Sequence, residues 1–191
     1  MDKRLAFLIN TKYCNNCKTC EIACKMDRKL PLGQRWREVR KYMRSDSTTT
    51  SEMNGIKHVA INIPMSCNHC ERPQCVEVCP MHAYQKLPMG MVVQRREYCI
   101  GCTKCVGACP YSAPVFNPKT GHTGKCDMCY DRFNEGKEPF CVQTCPNNAI
   151  KVDTYENLVA SYGARQDIRM VDGGQFLPLG DITNPSVVIV Y

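Results

Sequence analysis

The sequence predicts an α+β fold of two small modules, one inserted into the other, and three observations support this prediction. The chain has 191 residues, a length that suits one or two small domains. Sixteen residues are cysteines, and they fall into four groups of four with none left over. The apolar runs between the groups are short, as expected for brief strands and helices. The cysteines are therefore expected to organise the fold in place of a large apolar core.

The cysteine groups share a spacing, which the stretch CIGCTKCVGACP at 99–110 shows most clearly. Three cysteines follow one another at intervals of three residues, a fourth comes four residues later, and a proline follows it. The first group has this spacing without the proline, while the second and fourth groups have longer internal gaps but end in Cys-Pro. The groups are Cys14, Cys17, Cys20, Cys24; Cys67, Cys70, Cys75, Cys79; Cys99, Cys102, Cys105, Cys109; and Cys126, Cys129, Cys141, Cys145.

This spacing is typical of ligands to cuboidal 4Fe–4S clusters. The first three cysteines of a group hold one cluster, and in two-cluster ferredoxins the fourth cysteine ligates the other cluster. Proline fixes φ and lacks an N–H, so it redirects the chain after that ligand. Groups two and three are adjacent and are expected to exchange ligands, which leaves groups one and four to form the second pair.

Four iron-binding sets, which we number as quartets, follow from this exchange. Quartet one is Cys14, Cys17, Cys20 and Cys145; quartet two is Cys126, Cys129, Cys141 and Cys24; quartet three is Cys67, Cys70, Cys75 and Cys109; quartet four is Cys99, Cys102, Cys105 and Cys79. The predicted cofactors are four 4Fe–4S clusters, and the predicted modules are ferredoxin-like. All sixteen cysteines are expected to bind iron.

Other uses of clustered cysteines fit the pattern less well. Zinc sites favour two C-x2-C pairs, often with histidine, whereas triplets with a remote fourth cysteine recur here. Disulfides need a Cβ geometry that neighbours such as Cys102 and Cys105 do not easily reach. The net charge of +7 does not indicate nucleic-acid binding, because no basic stripe accompanies it. Four oxidised clusters would add about −8 by formal counting.

Local patterns predict short elements around the cysteine groups. The sequence favours strands over 4–10 and 149–154 beside the outer pair of groups, and a hairpin over 82–94 between groups two and three. Helices are expected after the fourth cysteines, as in EIACKMDRK, which ends near Pro31 and Gly33. The segment 45–55 is predicted as a polar loop.

The cysteine-free end of the chain is predicted to hold a helix, a loop and a strand. NLVASYG resembles a helix ended by Gly163, 172–186 a loop, and SVVIVY a final strand. The predicted modules are an outer one over 1–56 and 115–154 and an inserted one over 57–114. The extension 155–191 is expected to dock a partner.

Residues outside the cysteine groups do not predict a catalytic site. No nucleophile triad, P-loop or dinucleotide motif is present. The histidines His58, His69, His82 and His122 are expected to support the ligands or to lie at the surface. Trp36 is expected in the core or at an interface. Three cations near the cysteines could tune cluster potentials, although solvated surface roles are the commoner outcome: Lys18, Lys104 and Arg132.

Export and membrane signals are not expected in this sequence. The apolar run in MDKRLAFLIN is shorter than the ~7–15 residues of a signal-peptide core. No stretch approaches the ~18 apolar residues of a membrane helix. A direct membrane span is therefore not predicted.

Three motifs resemble one protein family: SCNHCERPQCVEVCP at 66–80, CIGCTKCVGACPYSAP at 99–114 and GHTGKCDMCYDR at 121–132. They are similar to the four-cluster iron–sulfur subunits of molybdopterin oxidoreductases, above all those of the dimethyl sulfoxide reductase type. The pattern is shared with formate dehydrogenase, polysulfide, tetrathionate and arsenate reductase subunits, so it indicates the role and not the substrate. Nitrate reductase subunits have tryptophan where this chain has Cys102, which favours four 4Fe–4S clusters here.

The resemblance implies a non-catalytic electron-transfer subunit of anaerobic respiration. Its expected partners are a molybdopterin catalytic subunit and a quinone-binding membrane subunit, with quartet one nearest the former and quartet four nearest the latter. It implies a peripheral membrane complex on the extracytoplasmic face, exported with a partner that carries the signal; the cytoplasm is the alternative. A free polyferredoxin or a maturation-type electron carrier is the alternative function.

Overall fold

The computed structural model describes residues 4–46, 57–163 and 182–190 as a small α+β fold. In chain order the elements are β1 (Leu5–Asn10), α1 (Thr19–Asp27), β2 (Glu38–Asp46), β3 (Lys57–Met65), α2 (Gln74–Glu77), β4 (Tyr84–Lys86), β5 (Val92–Gln94), a 3₁₀ turn (Arg96–Tyr98), α3 (Lys104–Ala108), β6 (Val115–Asn117), β7 (His122–Gly124), α4 (Tyr130–Asn134), α5 (Phe140–Gln143), β8 (Ile150–Thr154), α6 (Tyr155–Tyr162) and β9 (Val187–Val190).

A three-stranded sheet joins distant parts of the sequence. The central strand β1 pairs antiparallel with β8, where Phe7 faces Val152, and parallel with β9, where Phe7 faces Val187. One face of β1 packs on the cysteine-rich core, and the other packs with Leu158 of α6. Because both faces are covered, β1 has a continuous apolar sequence instead of an alternating one. The predicted strands 4–10 and 149–154 are confirmed.

The remaining strands form three antiparallel pairs. The predicted hairpin is confirmed as β4 paired with β5. The pairing of β2 with β3 and of β6 with β7 was not predicted. Strand β2 continues to Asp46, which pairs with Lys57. The predicted loop over 45–55 is therefore wrong for its first two residues, and its remainder lies outside the described residues.

In groups two, three and four the helices lie before the fourth cysteine, not after it, and for these groups the prediction is wrong. Helices α2, α3 and α5 each carry the third cysteine of their group and end before the fourth. Helix α1 contains both Cys20 and Cys24 and continues to Asp27, so the helix predicted over EIACKMDRK is confirmed for most of its length. In groups two, three and four the fourth cysteine precedes a proline, and a residue before proline is disfavoured in the α region. A helix therefore cannot easily continue through those three positions.

The cysteine-free end of the chain takes part in the core. Helix α6 is capped at its start by Thr154, whose hydroxyl accepts a 3.3 Å hydrogen bond from the backbone N–H of Asn157, and Gly163, with φ of 80°, follows its last residue. This confirms the predicted helix, and β9 confirms the final strand. The part of the predicted docking extension at 164–181 lies outside the described residues. Among the described helices, none is long and apolar enough to cross a membrane.

A cluster of ion pairs ties α1 to the start of α4. Arg28, just after α1, donates to Asp127 at 3.0 Å and to Asp131 at 2.5 Å, and it also contacts Asp27 at 2.8 Å. Burial alone would lower the pKa of Arg28, but the hydrogen bond to Asp131 and the charge of Asp127 raise it overall. Cysteine groups one and four are thereby held side by side.

Replacing Gly124 with alanine is expected to destabilise the protein by about 1–3 kcal/mol, the usual cost of overpacking. A Cβ at this position would lie 2.8 Å from Cζ2 of the buried Trp36 ring, which cannot swing away as a flexible chain could. Gly107→Ala in α3 is the matched control, because its Cβ would meet nothing within 4 Å. Chemical denaturation of the anaerobic holo-protein measures both. An equal effect of the two substitutions would contradict the close packing of Gly124 against Trp36.

Candidate iron–sulfur centres

Three of the predicted cysteine sets line three separate small cavities. Each cavity is bordered by the first three cysteines of one group and the fourth cysteine of its expected partner group. The sets are Cys14, Cys17, Cys20, Cys145; Cys67, Cys70, Cys75, Cys109; and Cys99, Cys102, Cys105, Cys79. These are the members of quartets one, three and four.

The members of quartet two also lie together. Cys24 of α1 is close enough to Cys129 and Cys141 to interact with them electrostatically. Cys126 interacts in the same way with Cys24. Helices α1 and α5 pack against each other, and this packing brings cysteines from the two ends of the sequence into one place.

The cysteine geometry suits a cluster better than a single ion or a disulfide framework. All sixteen cysteines are unbridged. Within the described ranges, no three side chains of His, Cys, Asp or Glu converge as ligands of one metal ion. Zinc needs four ligands about 2.0–2.3 Å from a single point. Sulfurs spread around a cavity, as here, instead match a cofactor with several metal atoms.

Each cysteine group has a left-handed residue at the same position near its start. The residue two positions after the first cysteine has a positive φ in all four groups, at Asn16, His69, Gly101 and Met128. In two of the turns its backbone N–H points at the first sulfur, with N···S distances of 3.5 Å for His69 and 3.4 Å for Met128. Left-handed residues of this kind turn successive N–H groups toward an anion. The turns are thus shaped to stabilise thiolates.

The three Cys-Pro segments share a second turn. In each, the backbone N–H of an alanine four residues after the cysteine donates to its sulfur, and the residue before that alanine has a positive φ. The pairs are Ala83 with Cys79 at 3.3 Å, Ala113 with Cys109 at 3.5 Å, and Ala149 with Cys145 at 3.3 Å. The left-handed residues are His82, Ser112 and Asn148.

Burial keeps many of these thiols neutral in the metal-free chain. Desolvation raises the pKa of Cys20, Cys24 and Cys75 to about 12 and that of Cys70 and Cys129 to about 11. Thiolates are the species that bind metal, so assembly of a cluster must displace these protons.

Arg37 is a buried cation between quartets one and two. Its side chain donates to the Pro64 carbonyl at 2.6 Å and to the Ser66 hydroxyl at 2.9 Å, and it stacks 4.6 Å from the Phe7 ring centroid. Burial alone would lower its pKa, but the sulfurs of quartets one and two raise it overall.

Lys125 is a second buried cation, between quartets two and three. Only 3% of the residue is exposed, and its Nζ donates to the carbonyls of Val92 at 2.5 Å and Cys126 at 3.1 Å. Burial alone would lower its pKa, but Cys67, Cys75 and Cys126 raise it overall.

The environment of these two cations provides a test of whether the site fits an anionic cofactor. Among the described residues, no carboxylate lies within ion-pairing distance of Arg37 or Lys125. Buried charges are normally paired, because an isolated one is very costly to desolvate. Clusters held by thiolates carry negative charge and would supply the missing counter-charge. The residues present therefore fit 4Fe–4S clusters.

The cations near the cysteines differ from those indicated by the sequence. Lys18 and Lys104 are exposed, while Arg132 is partly buried and bonded to the Gln143 side chain. Arg37 and Lys125 were missed. Lys125 directly precedes Cys126, and this adjacency is the sequence feature that could have indicated a cation close to a cluster ligand. Arg37 is one of many arginines, and only the tertiary fold distinguishes it.

Other polar side chains also contact the cysteine sites. His69 is wholly buried, its Nδ1 accepts a 2.9 Å hydrogen bond from the backbone N–H of Val92, and burial lowers its pKa. His82 is exposed and His122 is half-buried; the side chain of His58 lies outside the described residues. The hydroxyl of Thr123 lies 3.6 Å from the sulfurs of both Cys99 and Cys105. Thr123 was not predicted.

Neighbouring quartets meet in numerical order. Cys20 lies close enough to Cys141 to interact electrostatically between quartets one and two, and Cys126 does so with Cys67 between two and three. Between three and four, Cys75 and Cys105 pack in one cluster with Tyr84. Quartets two and three therefore each adjoin two other quartets, while quartets one and four each adjoin one.

Sequence comparison with known proteins agrees with an iron–sulfur site. The family described as the 4Fe–4S dicluster domain matches residues 59–154. The sequence is 40% identical over 192 residues to one of the chains of the anaerobic dimethyl sulfoxide reductase of Escherichia coli (strain K12), covering 99% of this chain and 89% of that relative. It is 34% identical to the thiosulfate reductase electron transfer subunit PhsB of Salmonella typhi, over 79% of this chain and 76% of the relative.

A third match is one of the subunits of the tetrathionate reductase of Salmonella typhimurium, which is 34% identical over 76% of this chain and 56% of its own length.

The fold and the cysteine sites together define a ferredoxin-like iron–sulfur protein. This protein belongs to the family of 4Fe–4S electron-transfer subunits that includes the matched chain of dimethyl sulfoxide reductase. The predicted resemblance is confirmed, and so is the role as an electron-transfer subunit of a reductase complex.

Proposed function

We propose that this chain relays electrons through four 4Fe–4S clusters between a molybdopterin catalytic subunit and a quinone-linked membrane partner. Each cluster accepts and donates one electron when bound. The protein supplies the ligands, the N–H···S hydrogen bonds and the buried charges. A total of four clusters is supported most directly by the arrangement of sixteen unbridged cysteines in four separate sets.

The proposed architecture has two modules, with the inserted one at 57–114 and the outer one at 1–56 and 115–154. Exchange of the fourth cysteine within each pair of groups supports it. Cys109 borders the cavity of Cys67, and Cys145 borders that of Cys14. We assign the ligands as the four quartets.

The proposed relay runs in the order of quartets one, two, three and four, because each quartet interacts with the next one in that order. Exposed apolar residues at its two ends support docking of partners there. The exposed Tyr13 lines the cavity of quartet one, and the exposed Met81 and Ile100 line that of quartet four. By resemblance, quartet one faces the catalytic subunit and quartet four faces the membrane subunit. The extension 155–191 is proposed to contribute to docking.

The proposed location is the extracytoplasmic face of the membrane, in a complex exported with a partner that carries the signal. Proteolysis of intact spheroplasts tests this separately from the relay. Degradation of the chain without lysis agrees with the proposal, and protection until lysis places it in the cytoplasm.

Anaerobic purification through an affinity tag on this chain tests the relay. The expected result is a stable complex with a pterin-containing subunit and about sixteen irons in this chain, four for each cluster. A monodisperse, iron-loaded monomer would instead support a free polyferredoxin or a maturation-type carrier. Zinc in place of iron would contradict both functions.

A further inference from the structure

The Lys125 ammonium is fixed beside two of the proposed clusters. It lines the cavity of quartet three, and its residue is joined by a peptide bond to Cys126 of quartet two. Hydrogen bonds to the carbonyls of Val92 and Cys126 hold its Nζ in place. The same ammonium interacts with Cys67 and Cys75 of quartet three. A single cation therefore lies where quartets two and three approach each other.

No nearby group in the described ranges cancels this charge. The remaining polar contacts of Nζ are neutral carbonyls, and no carboxylate within those ranges forms an ion pair with it. Since the residue is 3% exposed, water screens it poorly. A buried charge in this setting acts more strongly on its neighbours than a surface charge at a similar separation.

We propose that Lys125 sets the reduction potentials of the clusters in quartets two and three, raising both. Reduction adds one negative charge to a cluster, so a fixed positive charge nearby favours the reduced form. The electron comes from the preceding centre of the relay and passes to the next; no bond forms or breaks and no proton is required. The inference rests on the proposed four-cluster relay and adds an energetic role for the cation at its centre.

Two substitutions separate the charge from the hydrogen bonds. Lys125→Met removes the charge and both hydrogen bonds from Nζ. Lys125→Gln also removes the charge but keeps a side-chain N–H donor for the Val92 carbonyl. Lys104→Met is the matched control, because Lys104 directly precedes Cys105 of quartet four as Lys125 precedes Cys126, yet Lys104 is exposed.

The measurement is an EPR-monitored redox titration of the intact complex, with iron content determined for each variant. Both Lys125 variants are expected to lower two of the four potentials. The reduced-to-oxidised ratio of those two clusters at a fixed ambient potential should fall at least tenfold, which corresponds to about 59 mV for one electron. The other two potentials should stay in place, and Lys104→Met should leave all four unchanged.

Four intact clusters with unshifted potentials in both Lys125 variants would overturn the inference. Wild-type potentials in Lys125→Gln together with shifted potentials in Lys125→Met would also overturn it. The hydrogen bond, and not the charge, would then be the cause of the shift. An equal shift of cluster potentials in Lys104→Met would also contradict the inference, because an exposed lysine would then act as strongly as the buried one. Fewer than four clusters in the wild-type complex would instead count against the proposed relay itself.

Discussion

Replacing Cys109 with serine should abolish the EPR signal of the cluster at Cys67, Cys70 and Cys75, and not that of its sequence neighbours. The Cys109 sulfur lines the same cavity as those three cysteines, whereas Cys105, four residues earlier, lines another. Serine offers a poorer ligand to iron, since a hydroxyl is harder to deprotonate than a thiol. Under the proposed exchange of ligands between groups, the substitution therefore damages a cluster held by a distant part of the sequence.

The signal can be assigned by matched variants. Cys109→Ser and Cys67→Ser should lose the same signal in spectra of the reduced, anaerobic protein. The reciprocal substitution, Cys79→Ser, should lose the signal that Cys99→Ser loses. If Cys109→Ser and Cys99→Ser instead removed the same signal, each group would hold its own cluster and the proposed exchange would be wrong.

Removing the clusters is expected to unfold most of the tertiary structure. Without cluster anions, Arg37 and Lys125 are left buried with no counter-charge among the described residues. Loss of one partner of a buried pair typically costs about 3–5 kcal/mol. Two such losses are comparable to the whole stability of a domain, about 5–15 kcal/mol. The cysteine-lined cavities would also lose the clusters that are proposed to occupy them.

Near-ultraviolet circular dichroism before and after anaerobic chelation of iron measures this effect. The signal should collapse on chelation and return when iron and sulfide are restored. The double variant Arg37→Met with Lys125→Met provides a control, since its metal-free form should be more stable than the metal-free wild type. A metal-free wild-type chain that retained its native spectrum would contradict the proposed role of the clusters as counter-charges.

Patterns that depend on short stretches of sequence could be predicted. The cysteine groups lie within about a dozen to twenty residues each, and cluster ligation requires a fixed local spacing. Strand β1 is an apolar run, β8 alternates apolar and polar residues, and the β4–β5 hairpin surrounds the turn residues LPMG. Their prediction required no knowledge of the partners with which they pair.

Features that depend on distant contacts could not be predicted in the same way. Strand β2 is rich in charged residues and has no clear apolar alternation, so its strand character depends on pairing with β3. The parallel pairing of β9 with β1 joins residues about 180 positions apart and leaves no local signal. Helices after the fourth cysteines of groups two, three and four do not form because a proline follows each of these cysteines, and local helix propensity does not include that constraint.

By itself, the sequence determined the type of cofactor and the proposed ligand groups, because thiolate spacing around a cluster is a local property of the chain. The tertiary structure alone decided which charges surround those ligands. Arg37 and Lys125 look like ordinary surface cations in a list of residues, and only the packing of β1, α1 and the segment before Cys126 buries them. Burial is a property of the whole fold, and it is burial that makes a cation act strongly on its neighbours.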